Sequence, residues 1–170
     1  SDPRIKVVSD KVPAINNIYN VTIEEIPTQG YYMGEKLDHY PDEISGVPRH
    51  FSLAVDGITT NELKLLPQSF ESGSDFAAEL QRVINQDEYL QRAEKSVSGE
   101  YVDNAIKITS DTVGSTSSVE IRSMSRFLYF LAGMPMGKGP QGTDLIADIG
   151  GSKSLAKKIS SFWRGNYQEL

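Results

Sequence analysis

The most regular hydrophobic pattern in the chain lies between residues 51 and 66. Phe51, Leu53 and Val55 alternate with small residues, Asp56-Gly57 follows, and a second apolar run occupies residues 58–66. Alternation with period two is typical of a β-strand, and Asp-Gly favours a tight turn because both residues tolerate a positive φ. The pattern therefore predicts a β-hairpin that turns at Asp56-Gly57.

A helix is predicted next. Ser72 and Asp75 provide a capping oxygen and an acidic first turn, and apolar residues then recur at helical spacing. The predicted helix covers about residues 74–86. Its apolar face consists of Phe76, Leu80, Val83 and Ile84. We expect this face to pack against strands whose inward residues are Phe51, Leu53, Val55, Ile106 and Ile108.

The pattern changes back to strands after residue 96. Residues 97–102 and 105–109 flank Asp103-Asn104, which predicts a second hairpin, and residues 119–121 predict one more short strand. Between helix and hairpin, the polar residues 87–95 indicate a longer helix or a second one.

The two ends of the chain are less regular. The first part contains several prolines, a predicted strand at residues 19–23 and an aromatic edge at residues 31–32, with a polar loop over 35–49.

The last part begins with the apolar run 127–132, which is typical of a core strand or helix. The Gly/Pro segment 133–142 follows, and we expect an irregular loop that is mobile alone or ordered by a neighbouring subunit. A C-terminal helix is predicted over about residues 152–163, with Leu155, Ile159 and Phe162 on one face.

These elements predict an α+β fold, with a mostly antiparallel sheet, one packed helix (about 74–86) and a C-terminal helix (about 152–163). We expect one compact domain in three parts. Residues 1–50 form an extended segment, residues 51–122 a β-β-α-β-β module, and residues 123–170 an apolar segment, a Gly/Pro loop and the last helix.

Composition narrows the possible functions. The chain has 170 residues and a net charge of −6, which argues against general binding of nucleic acids, since that relies on Lys and Arg to neutralise phosphates. No apolar run approaches the roughly 20 residues of a membrane span. The chain has no cysteine, which excludes disulfides and thiolate chemistry.

Candidate chemical motifs are incomplete. Gly137-Lys138 resembles part of a phosphate loop, but the spacing from Gly133 is too short, Gly139 replaces the Ser or Thr that binds magnesium, and two prolines remove backbone donors. His39 and His50 are too few for a zinc site, and no Gly-x-Ser-x-Gly motif accompanies them. No closely spaced acidic loop suggests calcium. We therefore predict no catalytic residue, no metal and no cofactor.

Aromatic and methionine side chains outside the module are candidates for contacts with other proteins, because these residue types are enriched in interface cores. The candidates are Tyr31, Tyr32, Met134, Met136 and Trp163.

Part of the chain resembles a known family. Phe51-Ser-Leu-Ala-Val-Asp-Gly57 and the following segment 66–85, with Ile106-Lys-Ile-Thr-Ser110 and Gly114-Ser-Thr-Ser-Ser118, are similar to the "IN" module of bacterial flagellins and flagellar hook-associated proteins. Similar modules occur in virion structural proteins of tailed phages. The resemblance covers less than half of the chain, and the polar residues 87–95 depart from the family pattern.

The resemblance implies a non-enzymatic structural protein of a tailed-phage virion, located in the neck, tail or baseplate. Its partners would be copies of itself and other structural proteins of the same assembly, without nucleic acid or membrane. The alternative is an extracellular outer domain of a flagellin or flagellar hook-associated protein. Flagellar subunits build their filament from long amphipathic terminal helices, which residues 1–47 and 155–170 are too short to provide, so the flagellar interpretation applies to an excised domain.

Overall fold

The computed structural model describes residues 21–149. Its helices are α1 (Gly73–Asn85), α2 (Glu88–Arg92) and α3 (Arg126–Ala132). Its strands are β1 (Val21–Glu25), β2 (Gln29–Met33), β3 (Glu43–Ile44), β4 (Arg49–Val55), β5 (Ile58–Thr59), β6 (Leu63–Leu65), β7 (Gln68–Ser69), β8 (Val97–Val102), β9 (Ala105–Val113), β10 (Val119–Met124), β11 (Gly137–Lys138) and β12 (Ile146–Ile149). The predicted C-terminal helix at 152–163 lies outside the described residues.

All strand pairs in residues 21–149 are antiparallel. One sheet has the order β11-β10-β4-β5, with β6 also paired to β4, and a second has the order β2-β9-β8. Two small sheets consist of β3 with β7 and of β1 with β12. With the helices, this arrangement confirms the predicted α+β class.

Both predicted hairpin turns are present. Asp56 and Gly57 have φ values of 51° and 82°, and Asp103 and Asn104 have φ values of 52° and 60°. Two successive residues with positive φ form a turn whose twist matches that of the flanking strands. The structure therefore confirms the turn positions predicted from Asp-Gly and Asp-Asn.

Helix α1 begins as predicted, with the Ser72 hydroxyl accepting a hydrogen bond from the Asp75 amide at 3.1 Å. Phe76, Leu80 and Ile84 are fully buried in the same hydrophobic core as the apolar residues of β4 and β9, and Val83 is half-buried. The helix packs chiefly on β8, however, rather than on β4.

Hydrogen bonds and a glycine explain why α1 lies on β8. The Asn85 side chain bonds both the amide and the carbonyl of Val97 at 2.8 Å, and Gln81 Oε1 accepts from the Gly99 amide at 2.9 Å. A Cβ at Gly99 would be only 2.5 Å from the Ala77 carbonyl oxygen, so glycine permits the close approach. The helix thus covers backbone groups of β8, the outer strand of its sheet. On an exposed edge strand these groups would have no protein partner.

One hydrophobic core joins the three sequence parts. Tyr32 and Ile44 enter it from the first part, and Leu128, Ala132 and Met134 enter it from the last. The module of residues 51–122 therefore shares its core with both flanking segments.

The two ambiguous segments are helical. Residues 87–95 contain α2, which Asp87 caps by accepting hydrogen bonds from the amides of Tyr89 and Leu90 at 3.0 and 3.2 Å. The apolar run 127–132 forms α3, which ends at Gly133 with a φ of 60°, a left-handed conformation that glycine adopts without strain.

Candidate interaction surface

An open groove of about 540 Å³ lies where three segments meet. One wall is the outer strand β2 of the three-stranded sheet, and the opposite wall is residues 135–140, which include β11, the outer strand of the larger sheet. The β8–β9 hairpin contributes the third side, with Val102, Asp103 and Lys107. We call this feature the β2–β11 groove.

The β2–β11 groove combines apolar and basic side chains. Met33, Val102 and Met136 line it and are 37%, 38% and 68% exposed. The ammonium of half-buried Lys107 lies 4.9 Å from the centre of the Tyr31 ring, within the range of a cation–π contact. Lys138 adds an exposed cation and Asp103 an exposed carboxylate, so one positive charge is in excess. Such a surface suits a partner that carries both apolar and acidic groups.

The Gly/Pro wall of the groove is fastened to its own chain. Pro140 accepts a hydrogen bond from the Tyr31 amide at 3.1 Å, and the Gly139 amide donates to Val119 at 3.1 Å. A Cβ at Gly139 would overlap the Tyr31 carbonyl oxygen, and one at Gly142 would overlap that of Thr28. The expected irregular loop is present apart from the two-residue strand β11, and it is bonded to its own chain. Its mobility and the effect of a neighbouring subunit stay predictions. The glycines allow backbones to approach closely enough for these bonds to form.

The predicted interface residues are placed in two different environments. Tyr31 and Met136 line the groove with accessible side chains. Tyr32 and Met134 are only 4% and 1% exposed and belong to the core, which corrects the expectation that they face a partner. Neighbouring residues of a strand point to opposite faces, so Tyr31 and Tyr32 cannot share one role. Trp163 lies outside the described residues.

The Tyr32 hydroxyl joins β2 to the Gly/Pro wall. It donates a hydrogen bond to the Pro135 carbonyl oxygen at 2.6 Å. Burial raises the pKa of Tyr32 well above its ordinary value, and the negative charge of Glu35 raises it further, since both disfavour the phenolate. The neutral hydroxyl is therefore part of the folded structure over the whole physiological pH range.

We expect Tyr32→Phe to lower the free energy of unfolding by about 1 kcal/mol at neutral pH, the usual net value of one hydrogen bond. Because the folded-state pKa is raised, this stabilisation is full below the unfolded pKa of about 10 and is lost as the pH rises. The deficit of the variant should therefore shrink above about pH 10, by up to about 1.4 kcal/mol per pH unit. Urea unfolding of both proteins at several pH values measures this, and a deficit independent of pH would contradict it.

Four residues of the groove were missed as candidates: Met33, Val102, Lys107 and Lys138. Lys107 carried a usable signal, because it lies between the buried residues Ile106 and Ile108 and so has to face the other side of its strand. Lys138 appeared only as part of an incomplete phosphate loop. Its position in the groove follows from the pairing of β11 with β10, which no local pattern reveals.

Within residues 21–149, the structure does not bring the histidines and Gly137-Lys138 into one chemical site. His39 contacts Asp42 at 3.3 Å and His50 contacts Glu62 at 3.7 Å, all with exposed side chains. Gly137-Lys138 is a strand rather than a loop before a helix. Within residues 21–149, no three His, Asp or Glu side chains come together in a way that could hold a metal ion.

The carboxylate of Asp56, in the turn of the first hairpin, is almost fully enclosed, and its side chain is 2% exposed. It accepts hydrogen bonds from the Ser110 hydroxyl at 2.8 Å, the Ser118 amide at 2.9 Å and the Thr112 hydroxyl, and Lys95 Nζ lies 3.1 Å away. These donors come from β9, from the residue before β10 and from the segment after α2. The cluster therefore ties the first hairpin to the rest of the fold.

Comparison with family models, with curated proteins and with solved structures found no match to this chain. Among the helices of residues 21–149, none has the length and apolar character required to cross a membrane.

Proposed function

We propose that this chain is a non-enzymatic structural protein of a tailed-phage virion, located in the neck, tail or baseplate, that works through repeated contacts with copies of itself and with other structural proteins. The observation that carries the proposal is the β2–β11 groove. It lies at the outer strands of two sheets and exposes Met33 and Met136 beside two lysines. Exposed apolar side chains grouped at one site and bordered by charged residues are typical of protein–protein contacts.

The resemblance of residues 51–122 to the IN module supports the same proposal. In that segment β4 to β7 precede α1 and α2, and β8 to β10 follow them, so the predicted β-β-α-β-β module gains short strands and a second helix. The same module also supports the alternative, an outer domain of a flagellin or flagellar hook-associated protein. Both functions require contacts between subunits and no reactive group.

Light scattering on the purified chain tests whether it self-associates. We expect a particle mass that is a multiple of the 18.8 kDa of one chain and that rises with concentration towards a ring or stack. A mass of 18.8 kDa at all concentrations would contradict self-association. Immunogold electron microscopy then separates the two assemblies, since label at a fixed position on virions supports the phage protein and label on flagella supports the alternative.

A further inference from the structure

The two strands β1 and β12 form a ribbon with exposed apolar side chains. Val21 and Ile23 of β1 are 50% and 39% exposed, and Ile146 of β12 is 43% exposed. Within residues 21–149, β1 pairs with β12 and with no other strand. An isolated two-stranded ribbon is only marginally stable in water, so this one gains stability if a partner covers its apolar side chains. We call it the β1–β12 ribbon.

Hydrogen bonds between the segment that follows β1 and the segment that precedes β12 fix one end of the ribbon. The Thr28 amide donates to the Thr143 carbonyl at 3.0 Å, and the Thr143 amide donates to Thr28 Oγ1 at 2.9 Å. This clamp lies next to β2, which begins at Gln29. A segment held in this way loses less conformational entropy when it binds than a free chain does.

The ribbon and the β2–β11 groove have complementary chemistry. Along β1, Val21 and Ile23 are followed by Glu24 and Glu25, and all these side chains are exposed. The groove offers exposed methionines together with Lys107 and Lys138. Glu24 and Glu25 lie at a register shift of β1 opposite Ile146, on the face away from Ile23 and its partner Ala147. This face therefore offers two acidic side chains and the exposed Ile146 to the lysines and the apolar surface of the groove.

We propose that the β1–β12 ribbon of one copy of this chain docks in the β2–β11 groove of a second copy. The inference rests on the proposed function and names the two surfaces that form its repeated contact. Both surfaces are exposed in the single chain, so the ribbon does not occupy the groove of its own molecule.

Ribbon and groove are different surfaces, so the contact is head-to-tail, and head-to-tail contacts generate rings or filaments.

Charge reversal on the full-length chain tests the proposal, with the association measured by sedimentation velocity. Glu24→Lys with Glu25→Lys alters the ribbon, and Lys107→Glu with Lys138→Glu alters the groove. Each pair of substitutions should weaken association about tenfold or more, because attraction between opposite charges becomes repulsion between like charges. Lys36→Glu with Lys64→Glu changes the net charge as the groove variant does, at exposed positions elsewhere, and should leave association close to that of the unaltered chain.

Mixing the two altered proteins gives a sharper result. The unaltered ribbon of one protein meets the unaltered groove of the other, and the two altered surfaces also carry opposite charges, so the mixture should form larger particles in which the two proteins alternate. Combining all four substitutions in one chain should restore association, since the charges are again opposite.

Association that survives both altered pairs, or that falls equally with the control pair, would overturn the ribbon-and-groove contact while leaving self-association itself intact. An unaltered chain that is monomeric at every concentration would overturn the proposed self-association together with this contact.

Discussion

Replacing Asp56 by alanine is expected to lower the free energy of unfolding by about 3–5 kcal/mol, because three hydrogen-bond donors lose their acceptor at a cost of about 1–3 kcal/mol for each one that is buried. The carboxylate accepts hydrogen bonds from Ser110, Thr112 and the Ser118 amide, and it pairs with Lys95. After the substitution these donors have no acceptor at that position. Buried donors that lose their acceptor are more costly than the bond itself is stabilising.

Two further variants separate the contributions to this loss. Asp56→Asn keeps a residue that tolerates the left-handed turn but removes the charge, and we expect a smaller loss of about 1–3 kcal/mol. Asp103→Ala is the matched control, because Asp103 occupies the same position of the other hairpin with a φ of 52° against 51° for Asp56, yet its side chain is exposed.

Urea unfolding followed by circular dichroism, at one fixed protein concentration, measures all three variants. The fixed concentration matters because self-association would stabilise the folded state by mass action. Equal losses for Asp56→Ala and Asp103→Ala would mean that the turn backbone alone accounts for the effect, and the polar cluster would then have no stabilising role.

Leu80→Ala is expected to lower the free energy of unfolding by about 2–5 kcal/mol, the range for a large core side chain that leaves a cavity. Leu80 is 1% exposed and lies on the buried face of α1 with Phe76 and Ile84. Helix and sheet are both held by other contacts, so the surroundings can close the cavity only in part. The loss therefore includes the cavity as well as the transfer of the side chain.

Leu66→Ala provides the matched control for this prediction. The Leu66 side chain is 51% exposed, and substitutions at such surface positions usually change stability by no more than about 0.5 kcal/mol. The same unfolding experiment applies to both leucine variants. A loss below about 0.5 kcal/mol for Leu80→Ala would show that α1 contributes little to the core.

Much of the fold could be predicted because its signals are local. Asp56-Gly57 and Asp103-Asn104 produce turns through the φ values that they tolerate, and Ser72 caps α1 through a hydroxyl three residues from its donor. What could not be predicted depends on residues far apart in the chain. Asn85 and Gln81 bond to β8, and this directs α1 to that strand rather than to β4.

The interaction surface was predictable only in part. Aromatic and methionine residues indicated contacts with other proteins, but residue type alone did not distinguish accessible Tyr31 from buried Tyr32, or Met136 from Met134. Tyr31 and Tyr32 differ because neighbouring side chains of β2 point to opposite faces. Met134 and Met136 differ because of the path that residues 133–140 follow along β2. Prolines and glycines favoured a prediction of mobility there, because the contacts of this segment are distant in the chain. Gly139 approaches the carbonyl of Tyr31 and Gly142 that of Thr28, each more than a hundred positions earlier.

The amino-acid sequence by itself determined the α+β class, the two hairpin turns and the limits of the main helix, since each depends on backbone preferences and hydrophobic spacing within a few residues. Only the tertiary structure decided which strands lie at the sheet edges, that Asp56 is enclosed by donors from three later segments, and that Lys107 and Lys138 meet in one groove. These features arise when distant segments pack to bury one common core, and the sequence pattern of a single segment carries no record of its neighbours.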